Sequence, residues 1–198
     1  MAVAEMKWTS TALIVIGMQK DYVSKTSPSR MESGEVILPN VIKTVDVARS
    51  RGMPIVWVVR EHDHLGRDVE LFRRHNYVTP DKPKPVIKGR PGTELVDELE
   101  IKDSDYKLVK TRFSAFFNTN LHSYLQAIGV NSLVIIGLQT PNCIRQTVFD
   151  AVSFDYQSVK VIADASGAAA PDIHEVNLYD IRKINVGTPT LEEWSKPI

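Results

Sequence analysis

The feature that most narrows the fold is an alternation along the chain: short, largely apolar runs separated by segments of helical periodicity. The first run covers residues 11–18 and is continuous in Leu, Ile and Val. Others fall at 54–59, 106–110, 133–137 and 159–163, with a short sixth at 184–186. Strands that are apolar on both faces lie between layers, and chains that alternate them with helices build mainly parallel sheets. Between the runs, Leu38, Val41, Ile42, Val45 and Ala48 share one helical face, which ends near Gly52. Ile144, Thr147, Val148, Ala151 and Val152 trace a second face, and residues 172–181 a further helix. The pattern predicts an α/β, three-layer doubly wound fold around a six-stranded, mainly parallel sheet. No repeat, low-complexity stretch or linker interrupts it, so residues 1–198 read as a single domain.

Smaller elements complete this reading. Thr93 caps a brief helix over 93–99. Ser114 caps a helix with Phe117, Leu121, Tyr124, Leu125 and Ile128 on its apolar face, closed by Gly129. Thr190 and Glu193 have capping-box spacing ahead of Trp194. The polar stretch 60–92 contains Pro80, Pro83, Pro85 and Pro91 and is too long for a plain connection. It reads as an excursion over the upper edge of the sheet with a short helix around 69–74, either a lid or an oligomer contact.

Composition excludes several classes of function. The 24 Lys+Arg balance 24 Asp+Glu, so there is no electrostatic footprint for nucleic acid or an anionic membrane. No apolar run approaches the length of a bilayer span. The first ten residues contain Glu5 and Lys7 and have no apolar core, unlike a secretory leader. One cysteine cannot form an internal disulfide, which fits a reducing compartment and a cytoplasmic location.

In open α/β sheets, ligands bind beyond the carboxyl ends of the strands. The single cysteine, Cys143, lies there, in the first turn of the helix that follows the fourth strand. A cysteine at such a place is either a small buried hydrophobe or a nucleophile whose thiolate is favoured by the helix N-terminus. The same backbone N–H groups suit a developing oxyanion. Lys110 ends the third strand, where its ammonium is either solvated or directed at the same site. Asp164 ends the fifth strand, where it organises turns or takes part in chemistry. His62, Asp63 and His64 have ligand-like residue types, but the chain shows no full zinc spacing. No Gly-rich phosphate loop follows any strand, which disfavours nucleotide binding. No cofactor is expected.

Three segments carry a family resemblance. Residues 12–22, ALIVIGMQKDY, resemble the first-strand motif of isochorismatase-like cysteine hydrolases. Residues 110–116, KTRFSAF, are similar to their lysine motif, and 137–145, GLQTPNCIR, to their nucleophile motif. The similarity spans nearly the whole chain and is strongest toward plant nicotinamidase-like members, through 57–63, WVVREHD, and 70–77, ELFRRHNY. The resemblance implies hydrolysis of small-molecule amides through a thioester by an Asp–Lys–Cys triad, although some members cleave an ether bond without the cysteine. It makes Cys143 the nucleophile and Lys110 its electrostatic partner. It places a cis peptide at Leu138–Gln139, directs the N–H groups of Gln139 and Cys143 at an oxyanion, and puts Arg60, His62, Phe113 and Asn142 around a substrate pocket. Its expected partners are a small molecule and further copies of the same chain.

Two positions depart from the motif. The family's general-base aspartate falls on Gly17, which has no proton acceptor; neither Gln19 nor Asp21 is an obvious replacement. Nicotinamidases carry Asp-x-His for a metal after the second strand; here Arg60 stands at the aspartate position, with His62 retained. The expectation is therefore a metal-free hydrolase with weakened turnover. The alternative is an inactive member that serves as a binding or oligomerisation protein.

Overall fold

A computed structural model of the protein describes residues 8–196. The leader-free reading of the first ten residues therefore falls largely outside the described part. Five strands form the sheet: β1 Thr11–Ile16, β2 Ile55–Arg60, β3 Tyr106–Lys110, β4 Ser132–Leu138 and β5 Ser158–Gly167. All neighbours pair in parallel, in the order β3-β2-β1-β4-β5. The chain winds outward from β1 through β2 to β3, then returns to lay β4 on the other side of β1. The order thus reverses between β1 and β4, and a crevice opens beyond the carboxyl ends of those two strands.

The period-two alternation of β1 sorts its side chains between two cores. Ala12, Ile14 and Ile16 pack with Leu121, Leu125, Val148 and Ala151 on one face. Leu13 and Val15 pack with Ile37, Val41, Val45 and Ala48 on the other. Among the described residues the helices are, in chain order, α1 Lys20–Val23, α2 Glu32–Ser50, α3 His75–Val78, α4 Leu121–Ala127, α5 Arg145–Ser153, α6 Pro171–Lys183 and α7 Leu191–Ser195, of which α2, α4 and α5 supply these residues. The capping box at Thr190 and Glu193 forms in full. No helix among the described residues is long and apolar enough to cross a membrane.

The structure corrects three expectations. Residues 184–186 are not a sixth strand. Asn185 adopts a left-handed φ of 63° and Pro189 has no N–H, so the segment makes only an isolated bridge, Lys160 with Gly187, at the edge of β5. Residues 93–99 are not a helix. After a 3-10 turn at Pro91–Thr93, the chain runs extended so that Leu95 bridges Gln19 and Val96 N donates to Met18 O. Tertiary pairing with the loop after β1 overrides local propensity there. Ser114 does not start α4 either. Its hydroxyl accepts from Phe116 N, Asn118 turns the chain with a φ of 54°, and the helix begins at Leu121, leaving Phe117 59% exposed.

The 60–92 excursion holds a 3-10 turn at Leu71–Arg73 and then α3, around a small core of Val69, Tyr77 and Ile87. Its short helical elements begin at Leu71 rather than near residue 69.

Candidate active site

β1 ends at Ile16 because Gly17 takes a φ of 69°. The register sets Ile16 beside Gly137, and a Cβ at Gly137 would lie 2.0 Å from Ile16 O, so only glycine fits that position. This close approach of β1 and β4 brings Gly17 against Leu138, whose peptide bond to Gln139 is cis. A turn of π-helix at Thr140–Ile144, closed by Ile144 N donating to Gln139 O, then leads into α5. Cys143 lies in this turn. Thr147 fastens it by donating to Cys143 O at 2.6 Å while accepting from Ala115 N at 3.0 Å.

The crevice contains a cavity of about 70 Å³ that brings Cys143, Lys110, Gly17 and Arg60 together. Phe113, Leu138, Gln139 and Asn142 line it as well, so of the residues that the family resemblance assigns to the site only His62 stands outside the lining. Among the other candidates, Asp63, His64 and Asp164 also stand outside it. Tyr22, Met31 and Arg73 are additions. Arg73 lies within a segment whose resemblance is legible, but its direction toward the crevice depends on how the excursion folds.

Lys110 is almost fully buried, and its ammonium donates to Arg112 O at 2.6 Å, Phe113 O at 2.9 Å and Cys143 Sγ at 3.2 Å. Three acceptors use all three of its N–H bonds. Burial holds this ammonium below the ordinary lysine value, and the adjacent sulfur charge draws it back up. At Cys143, burial raises the thiol. The charges of Lys110 and Arg60, with hydrogen bonds from Lys110 and the Gln139 backbone, outweigh that and hold it below the ordinary cysteine value. The arrangement suits a thiolate paired with an ammonium, a competent nucleophile.

No carboxylate among the described residues lines the cavity. Asp21 is committed elsewhere, accepting from Val86 N at 2.5 Å. Gln19 acts as a structural clamp: it accepts from Arg60 N and donates to Arg60 O and Thr93 O. Asp164 is exposed and accepts from Leu191 N at 2.7 Å, organising the entry to α7.

Arg60 projects from the end of β2, and its guanidinium pairs with Glu70, which also accepts from Arg73 at 3.1 Å. Burial raises the Glu70 carboxyl, but the two arginines bring it below the ordinary value, so it is ionised. His62 is buried. Its Nδ1 lies 3.2 Å from Asp68 Oδ1, and its Nε2 has no hydrogen-bond partner among the described residues. Burial, then the Arg60 charge, lowers its pKa to about 4. The same charge repels a metal cation, and no group of three metal-ligating side chains forms among the described residues. Asp63 pairs with Arg67 and His64 is exposed, so the donor set does not fit a divalent metal.

Residues 11–193 match the isochorismatase domain family. The chain is 59% identical over 193 residues to a probable inactive nicotinamidase of Arabidopsis thaliana, covering 97% of this chain and 98% of that protein. It is 30% identical over 197 residues to a ureidoacrylate amidohydrolase of Acinetobacter baylyi, covering 87% of this chain and 77% of that one. Its fold superposes on an isochorismatase family protein from Desulfovibrio vulgaris with a TM-score of 0.87 at 36% identity, covering 92% and 95% of the two chains. By its sheet order, its crevice and these likenesses, the chain belongs to the isochorismatase-like family of hydrolases.

Proposed function

We propose that this chain is a cysteine-centred hydrolase of small-molecule amides whose turnover is slowed because Gly17 stands where the family's base would be. The observation that carries the reading is the Lys110 ammonium 3.2 Å from Cys143 Sγ, in a cavity lined by no carboxylate among the described residues. With the thiolate already held by charge, attack on an amide carbonyl needs no base. The C–S bond forms and the oxyanion is met by the N–H groups of Gln139 and Cys143. Expelling the amine requires a proton, for which Lys110 is the nearest donor. Water then attacks the thioester, its proton returns to the neutral Lys110, the C–S bond breaks and the acid leaves, with no carboxylate among the described lining residues to assist either transfer. Loss of a general base slows such steps by roughly 10²–10⁴-fold.

A second reading, an inactive member that binds a small molecule or further copies of itself, is favoured by the similarity to a probable inactive nicotinamidase. The two readings separate in one experiment. The protein is exposed to a panel of small amides, and amine release and the intact mass are followed, with Cys143→Ser as control. A thioester adduct or slow amine release that disappears in the control supports the hydrolase. Neither signal with any amide makes binding the function.

A further inference from the structure

The cavity beside Cys143 carries an uncompensated positive charge, and the arginine that bears it has a donor without an acceptor among the described residues. Arg60, Arg73 and Lys110 line it, and no carboxylate among the described residues does. Lys110 and the Cys143 thiolate cancel as a pair, and the three N–H bonds of Lys110 are already used. Glu70 is shared by Arg60 and Arg73, so two guanidinium charges meet one carboxylate and one positive charge remains. Arg60 is only 4% exposed, yet its Nε has no hydrogen-bond partner among the described residues. Its Nη2 is spent on Glu70 and on Thr111 O. Buried guanidinium N–H groups are normally paired.

We infer that this cavity is an anion subsite: it holds a ligand carboxylate on the Arg60 guanidinium beside Cys143. The inference rests on the hydrolase reading and adds the chemical class of its substrate, an amide that carries a carboxylate on a short stem. A cavity of about 70 Å³ beside Cys143 favours a short stem.

Two alkylating probes of nearly equal size test this on the full chain. Iodoacetate and iodoacetamide both react when Sγ attacks the methylene carbon: a C–S bond forms, the C–I bond breaks and iodide leaves. Only iodoacetate brings a carboxylate. The measurement is the ratio of their rate constants on Cys143, divided by the same ratio on N-acetylcysteine in the same buffer. The subsite predicts a normalised ratio of about tenfold or more, in line with local charge attraction. It also predicts an iodoacetate rate that saturates, and protection by acetate. Arg60→Met brings the ratio toward unity, whereas Glu70→Gln, which leaves a second uncompensated charge, raises it. Should Arg60→Met fail to fold, Glu70→Gln and acetate protection of the natural chain carry the test. A normalised ratio of one or below overturns the subsite. So does a raised ratio with neither saturation nor acetate protection, which is diffuse attraction only. In both cases a Cys143 that reacts readily with iodoacetamide leaves the hydrolase reading standing. A Cys143 inert to iodoacetamide overturns that reading and this inference with it.

Discussion

Placing a carboxylate at position 17 tests the proposed site most directly, and the structure sets its cost. Gly17 has a φ of 69°, and a Cβ there would lie 2.8 Å from Leu138 O. A side chain in the left-handed region costs roughly 1–2 kcal/mol. Moving a packed backbone by a few tenths of an ångström costs about 1–3 kcal/mol more, as in other overpacked sites. The sum, about 2–5 kcal/mol, is a large share of the roughly 5–15 kcal/mol available to a domain. At about 2–4 °C per kcal/mol it lowers Tm by roughly 4–20 °C. Because the retreating turn carries Gln139 and Cys143, comparison with the natural chain alone would mix strain with chemistry. The informative pair is Gly17→Asp against Gly17→Asn, which share shape and strain and differ in the base. Amine release from a small amide, corrected with Cys143→Ser, should be about 10²–10⁴-fold faster for the aspartate variant. Equal rates in two folded variants refute a base role for this position. Melting temperatures unchanged from the natural chain refute the steric argument.

Other predictions address charge and packing. The rate of Cys143 alkylation by iodoacetamide should rise with pH about a midpoint below the free-thiol value of about 8.5, and Lys110→Met should move that midpoint upward; a natural-chain midpoint at or above 8.5 removes the claim of activation. His62 is held near 4 against an ordinary 6.5, first by burial and then by Arg60. Between these values the unfolded chain binds the extra proton, so the stability contribution is complete above pH 6.5 and is lost as pH falls toward 4. The loss is up to about 3 kcal/mol, measured as the difference in urea stability between the natural chain and His62→Phe across that window. Asp105, its side chain nearly buried, accepts from Arg49 and from Trp57 Nε1 at 2.8 Å. Asp105→Ala should cost about 3 kcal/mol by leaving Trp57 Nε1 and Lys102 N without their acceptor and Arg49 without its carboxylate, without changing the Cys143 alkylation rate. A loss under about 1 kcal/mol would show that the network contributes little.

The sheet is legible in the sequence because strands buried on both faces leave a composition signature. Leu13 and Ile14 serve opposite cores, and the run that contains them has no polar alternation to confuse with a surface strand. The proposed nucleophile is legible because Cys143 is the only cysteine and follows the clearest buried run. Residue type alone does not disclose partners. Arg60 reads as a charge where the resemblance expects a metal-binding aspartate, but its pairing with Glu70 depends on how the 60–92 excursion returns over the crevice. Nor does periodicity reveal that 184–186 is barred from the sheet by one left-handed residue and one proline.

Position 17 shows where such reading stops. In the sequence it is a glycine where the family resemblance expects a carboxylate. In the fold it lies against Leu138 O at the reversal of strand order, where β1 and β4 approach so closely that Gly137 also admits no side chain. Refilling position 17 therefore displaces the Leu138–Gln139 turn, which supplies an N–H to the Cys143 sulfur. A carboxylate placed there and the Cys143 sulfur are coupled through that backbone. On the proposed hydrolase reading, full activity should accordingly require compensating changes in the turn as well as the carboxylate.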